Sequence, residues 1–154
     1  MKVMLWFGGI VVLFAAIVGF ELAHFGTLTD SSAAPASPYV LTLAGVQVHV
    51  RLAQTPTDQE KGLGGRDSLA PDEGMLFIFP KDGQHAFWMK DMKFPIDIIW
   101  LAVDGKVVYI VPDLSPNTYP QSFAPSKPAR FVLEVPAGFA AKHNVHVGDI
   151  AQLP

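Results

Sequence analysis

The 154-residue chain contains no cysteine. That absence excludes a structural disulfide, a thiolate nucleophile, a Cys-based zinc site and a lipid-modified N-terminal cysteine. It leaves the compartment open, because many exported proteins carry no disulfide. Positive charge is also scarce: Lys and Arg total 11 against 14 Asp and Glu, a net charge of −3. From Tyr39 onward ten bases face twelve acids, with no basic stripe, which argues against nucleic acid as a partner. There is no acidic tail and no internal repeat.

What is present divides unevenly. Half of the residues are hydrophobic and mean hydropathy is +0.31, but one segment inflates both figures. Val3 to Phe20 contains no charged or strongly polar side chain. Eighteen helical residues cover about 27 Å, close to the thickness of a hydrocarbon core. A cleaved signal has a shorter apolar core, roughly 7–15 residues, and a nearby small-x-small site. The tidy candidate, Ala34-Pro35-Ala36, lies far downstream with a proline inside it. Residues 3–20 therefore read as an uncleaved transmembrane helix, with secretion as the alternative should the segment be cleaved. Lys2 before the run and Glu21 after it place the amino terminus in the cytoplasm and the remainder outside, in the periplasm. Residues 21–38, small, polar and proline-punctuated from Thr27 to Pro38, read as a flexible linker.

Residues 39–154 form the domain. Tyr39–Leu43 and Gln47–Ala53 flank a short turn at Ala44-Gly45-Val46, and Val48, Val50 and Leu52 alternate with polar neighbours in a half-buried strand. Thr57-Asp58-Gln59-Glu60 has capping-box spacing. Gly62, Gly64 and Gly65 limit the ensuing helix to two turns. Met75–Phe79 is apolar on both faces, as in a central strand. Asp104-Gly105 between Ile96–Val103 and Val107–Val111 is a type I′ hairpin signature. Pro112 to Pro128 lacks periodicity and reads as a long loop. Arg130–Val135 resumes as a strand. A short helix over Ala137–His143 ends at Asn144, and Gly148-Asp149 turns into a last strand. The fold class is mainly β: a small closed or sandwiched antiparallel domain with two short helices. A parallel α/β fold is disfavoured because no long helix separates the strands.

Six motifs occur in order: Gly62-Leu63-Gly64-Gly65-Arg66, Gly74-Met75-Leu76-Phe77, Phe87-Trp88-Met89-Lys90, Pro95-Ile96-Asp97-Ile98, Val132-Leu133-Glu134-Val135-Pro136-Ala137-Gly138 and Gly148-Asp149. In these the chain resembles the uncharacterised domain of unknown function 192 family, over nearly all of Val46 to Leu153. The resemblance implies a small β-rich domain, often behind an export or membrane segment, and supplies no activity. Gly64 stands where that family usually has methionine, and Asp91-Met92 where it has an Asn-Thr pair.

Asp97 shares a strand face with Ile99, Leu101 and Val103. A carboxylate so placed needs a cation or backbone donors; Arg66 and Lys90 are the natural cations, in a buried ion pair. Glu134 lies in an apolar strand, with Arg130 on the same face as a pairing candidate. Asp97 and Glu134 could together form a glycosidase pair only at a defined separation. Met89, Met92 and His85 offer soft-metal ligands suited to Cu(I), although positions 89 and 92 would face opposite ways in a strand. The serines lack a nucleophile elbow. His143 and His146 lack a carboxylate at zinc-hydrolase spacing, and the glycine-rich stretch has no Walker lysine.

The reading is an extracytoplasmic binding or accessory module for a small polar or anionic ligand or an envelope protein, with no cofactor. Trp88, Met89 and Lys90 would wall its cleft, Arg66 and Asp97 would anchor the ligand, and the Pro112–Pro128 loop could cover it. The alternatives are an envelope-acting enzyme using Asp97 or Glu134 as acid or base, and a copper binder.

Overall fold

The computed structural model describes residues 37–154. The expected membrane helix at 3–20, and the linker except for its last two residues, lie outside the described residues.

The first hairpin pairs β1 (Val40–Leu43) with β2 (Val46–Ala53). Its loop is two residues, Ala44 at φ 50° and Gly45 at φ 76°, so both central residues take the left-handed conformation that matches strand twist. Helix α1 (Pro56–Lys61) follows. Its cap is Thr55, two residues earlier than the spacing at Thr57 suggested: Thr55 Oγ1 accepts from the Asp58 N–H at 3.1 Å. Pro56 decides the frame, because its fixed φ and missing N–H suit the first helical position.

After α1 the chain enters β3 (Glu73–Gly83), which runs parallel to β2, His49 opposite Glu73. This corrects the wholly antiparallel expectation. The connection between them has room for a parallel crossover without a long helix. The short β4 (Phe87–Trp88) precedes β5 (Ile96–Leu101), every residue of which is buried. The turn into β6 (Val107–Leu114) is not type I′. Gly105 has φ 80° while Asp104 does not take positive φ, and the Gly105 N–H donates to the Ala102 carbonyl at 2.9 Å. A single left-handed residue after such a turn makes a bulged loop.

The region expected to be loop from Pro112 instead carries the end of β6, a 3-10 turn at Pro116–Thr118 and β7 (Ser122–Phe123), which pairs with β4. Strand β8 (Ala129–Pro136) then inserts between β3 and β5, and α2 (Phe139–Lys142) ends at Asn144 with φ 52°.

The main sheet has the order β1-β2-β3-β8-β5-β6 and is open, which corrects the expectation of a closed barrel. Its last segment is a pair of isolated bridges rather than a strand: Gln152 pairs with Thr42 and Ile150 with Lys106. Both faces are covered. Leu76, Ile99, Leu101, Leu133 and Val135 pack on one side with Phe139 and Ala140 of α2. On the other, Met75, Phe77, Ile98, Trp100 and Val132 pack under Leu63 and Met89, with Phe87 and Phe123 of the small β4–β7 ribbon against them. Burial on both faces explains why β3, β5 and β8 read as continuous apolar runs.

Candidate functional site

Two carboxylates are buried in this sheet, and they have opposite circumstances. Asp97 is fully buried on the α2 side. Its Oδ1 accepts from the N–H groups of Asp113 at 2.8 Å and Gly138 at 3.0 Å, and its Oδ2 from Ala140 at 2.7 Å. The Asp113 donor is aimed inward by a bulge: Ile96 pairs with Leu114 and Ile98 with Val111, so two β6 residues oppose Asp97. Gly138 and Ala140 are at the start of α2, where orphan N–H groups point outward along the axis. Asp97 is thus held by backbone donors and not by the Arg66 or Lys90 ion pair that the sequence invited.

Glu134 sits on the other face, in the strand at the middle of the sheet, opposite Met75 on β3 and Ile98 on β5. Only 5% of it is exposed, and its Oε2 is buried with no hydrogen-bond partner among the described residues. Burial raises its carboxyl from 4.5 to about 8, because an apolar surrounding penalises the charged form. The pairing with Arg130 does not form. Arg130 Nε instead contacts Asp82 Oδ1 at 2.6 Å.

Above Glu134 lies a cleft of about 250 Å³, walled by Gly62, Phe77, Phe79, Phe87 and Trp88, with Met92 beside them. Lys61, Lys90 and Glu60 also line it, and all three are exposed. The aromatic wall is built edge to face: Phe87 meets Phe77 at 4.8 Å and Trp100 at 5.8 Å between centroids. Such contacts fix ring orientations. Gly62 matters for its missing side chain. A Cβ there would come within 3.3 Å of Phe77 Cζ and 3.9 Å of Glu134 Oε2.

The residues singled out from sequence are partly brought together. Trp88, Lys90 and Glu134 share the cleft, while Met89 is buried in the core. Arg66 lines a separate, open basin of about 840 Å³ with Arg51 and Asp58, bordered by the same Lys61–Gly64 turn. Asp97 is on the far face. The 112–128 segment contributes Tyr119, which meets Trp88 edge-on at 6.0 Å. Of the soft-metal set, Met92 lines the cleft, and His85 stacks on Phe79 at 3.6 Å with its Nε2 3.1 Å from the Lys81 carbonyl. Gly62, Phe77, Phe79 and Phe87 were missed. Phe77 and Phe79 read simply as strand core, and no local signal said that their ring edges border a cavity.

An open mixed sheet with a two-stranded ribbon and two short helices defines a small, mainly β domain. The chain belongs to the domain of unknown function 192 family, whose model, described as an uncharacterized ACR, matches residues 39–153. Two solved structures are similar. A candidate transcription regulator from Sinorhizobium meliloti is 30% identical with a TM-score of 0.70, over 75% of this chain and 92% of that one. A protein of unknown function from Novosphingobium aromaticivorans is 30% identical with a TM-score of 0.71, over 79% of this chain and 94% of that one. No curated protein matches the chain.

Proposed function

We propose that this domain is a small-ligand-binding module, held at the outer face of the cytoplasmic membrane by the apolar segment from Val3 to Phe20. The observation that carries the reading is the orphaned Glu134 Oε2 beneath an aromatic cleft. Leaving a buried polar atom unpaired costs on the order of 1–3 kcal/mol. A folded domain sustains that cost where a partner arrives from outside. The cleft, at about 250 Å³, is smaller than the roughly 300–1,000 Å³ of drug-sized sites, so its occupant is a small molecule with few polar groups.

The acid–base enzyme reading is weaker on the same grounds. Asp97 spends both oxygens on backbone donors, and it is separated from Glu134 by the sheet itself. The other ionisable groups lining the cleft, Glu60, Lys61 and Lys90, are exposed at its rim, so no second enclosed acid or base stands beside Glu134 among the described residues.

The test is to purify the full chain from its native envelope in mild detergent, denature it, and analyse the released small molecules by mass spectrometry. Wild type releases a compound in near-stoichiometric amount, and Glu134→Leu and Glu134→Gln release little of it. Equal release from all three proteins, or none from wild type, overturns the proposal.

A further inference from the structure

The cleft has two chemically different ends. At its floor a lone carboxyl group, Glu134, sits among Phe77, Phe79 and Phe87. At its rim two exposed lysines, Lys61 and Lys90, outnumber the single carboxylate of Glu60. Among the described residues neither lysine is in a salt bridge. A carboxylate under an aromatic-walled cleft suits an organic ammonium, which gains a charge-assisted ion pair while its apolar part packs against the rings. A rim of net positive charge suits an anion.

We infer that the ligand is a small dipolar molecule whose ammonium group meets Glu134 while its anionic group reaches the rim between Lys61 and Lys90. This rests on the small-ligand reading above and names the class of ligand that fills the site. An ammonium occupant requires the ionised carboxylate. Free Glu134 is raised to about 8 by burial, so at pH 7 binding expels its proton to solvent. Affinity then rises about tenfold per pH unit up to about pH 8 and levels off above it. The other charged groups facing this side are few. Glu60, Lys61 and Lys90 line the cleft. Arg51 stands one strand beyond Met75 in the same cross-strand row as Glu134, Arg130 shares Glu134's face of β8 and is paired with Asp82, and His85 stacks on Phe79.

Calorimetric titration of the full chain in detergent with butylammonium, butyrate and 4-aminobutyrate tests this. 4-Aminobutyrate binds at least tenfold more tightly than butylammonium, and butyrate binds least. Lys61→Ala with Lys90→Ala removes the advantage of 4-aminobutyrate over butylammonium. Glu134→Gln weakens both ammonium probes at least tenfold. Titration at pH 7 in two buffers of different ionisation enthalpy reports release of nearly one proton. Butyrate binding as tightly as 4-aminobutyrate, or no dependence on Glu134, overturns the inference. If no probe binds but the compound retained from the envelope still depends on Glu134, the dipolar ligand falls and the binding module stands. If nothing is retained either, both fall.

Discussion

Asp97 and Glu134 lie on adjacent antiparallel strands, Asp97 opposite Val135 and Glu134 opposite Ile98, and so leave the sheet through opposite faces. The pleat makes this unavoidable, since residues an odd number of positions apart along the paired register point to opposite sides. One carboxylate is saturated by three backbone donors, and the other has an oxygen with none. The first holds α2 and the β6 bulge in place. The second has capacity left for something outside the chain.

Replacing Asp97 tests the structural half of that division. Asp97→Ala strands three N–H groups, each charge-assisted bond being worth about 1.5–3 kcal/mol. The losses are not additive, because the freed N–H groups relax and hydrate together, so a total of about 3–5 kcal/mol is the expected result by urea denaturation. Asp97→Asn keeps one acceptor and presents an amide NH₂ where the other oxygen was, and falls between. In protein that remains folded, the compound retained through Glu134 is unaffected by Asp97→Asn. Loss of that compound without loss of stability would place Asp97 in the binding site.

Glu134 makes stability depend on pH in the direction opposite to an ion-paired acid. Its carboxyl is raised from 4.5 to about 8, so between those values the folded chain holds a proton that the unfolded chain releases. Stability therefore falls as pH rises through this window, by at most about 1.4 kcal/mol per unit. Glu134→Gln abolishes that slope. It is as stable as wild type near pH 4.5 and more stable at pH 8, in denaturation curves taken without ligand. A wild-type curve that is flat from pH 5 to 8 contradicts the assignment.

The strands were legible where their patterns were local. The alternation in Val48, Val50 and Leu52, and the apolar runs in β3, β5 and β8, gave the elements because burial on one or both faces writes its period into the sequence. The β2–β3 pairing was not legible, because a parallel crossover through a six-residue helix leaves the same local marks as two antiparallel strands. Glu134 illustrates the limit for the site. Its apolar neighbours announced burial, but whether Arg130 would reach it depended on Asp82, far away in sequence, taking that guanidinium. Similarly, Asp97 advertised a need for donors and could not say that they would be the N–H groups of Asp113, Gly138 and Ala140.

The C-terminal segment offers a separate test of the open sheet. The Ala151 N–H donates to the Gly105 carbonyl at 2.9 Å, and Gln152 exchanges bonds with Thr42 on the opposite edge strand. A Cβ on Gly105 would overlap the Ala151 carbonyl oxygen, at a φ of +80°. Gly105→Ala therefore costs more than about 2 kcal/mol and speeds amide exchange at Ala151 and Gln152. Gly45→Ala is the comparison, since it has φ +76° with nothing within 4 Å. It suffers backbone strain alone, about 1 kcal/mol. Equal losses for the two variants would mean that the bridging segment contributes nothing.

Gly62 separates cleft geometry from cleft chemistry. Its φ of 49° and ψ of −134° lie outside the usual left-handed well, so any side chain there carries strain of about 1–3 kcal/mol. The added methyl of Gly62→Ala also stands 3.3 Å from Phe77 Cζ and 3.9 Å from Glu134 Oε2, which occupies the space above the carboxyl group. Ligand retention is lost in this variant although Glu134 and the lysines remain. Gly65→Ala supplies the control: its φ is +78°, nothing lies within 4 Å of the added Cβ, and it lines the open basin instead of the cleft. It loses about 1 kcal/mol of stability and keeps its ligand. Should Gly62→Ala retain the compound as wild type does, the occupant does not sit against Glu134, and the cleft is not where this domain binds.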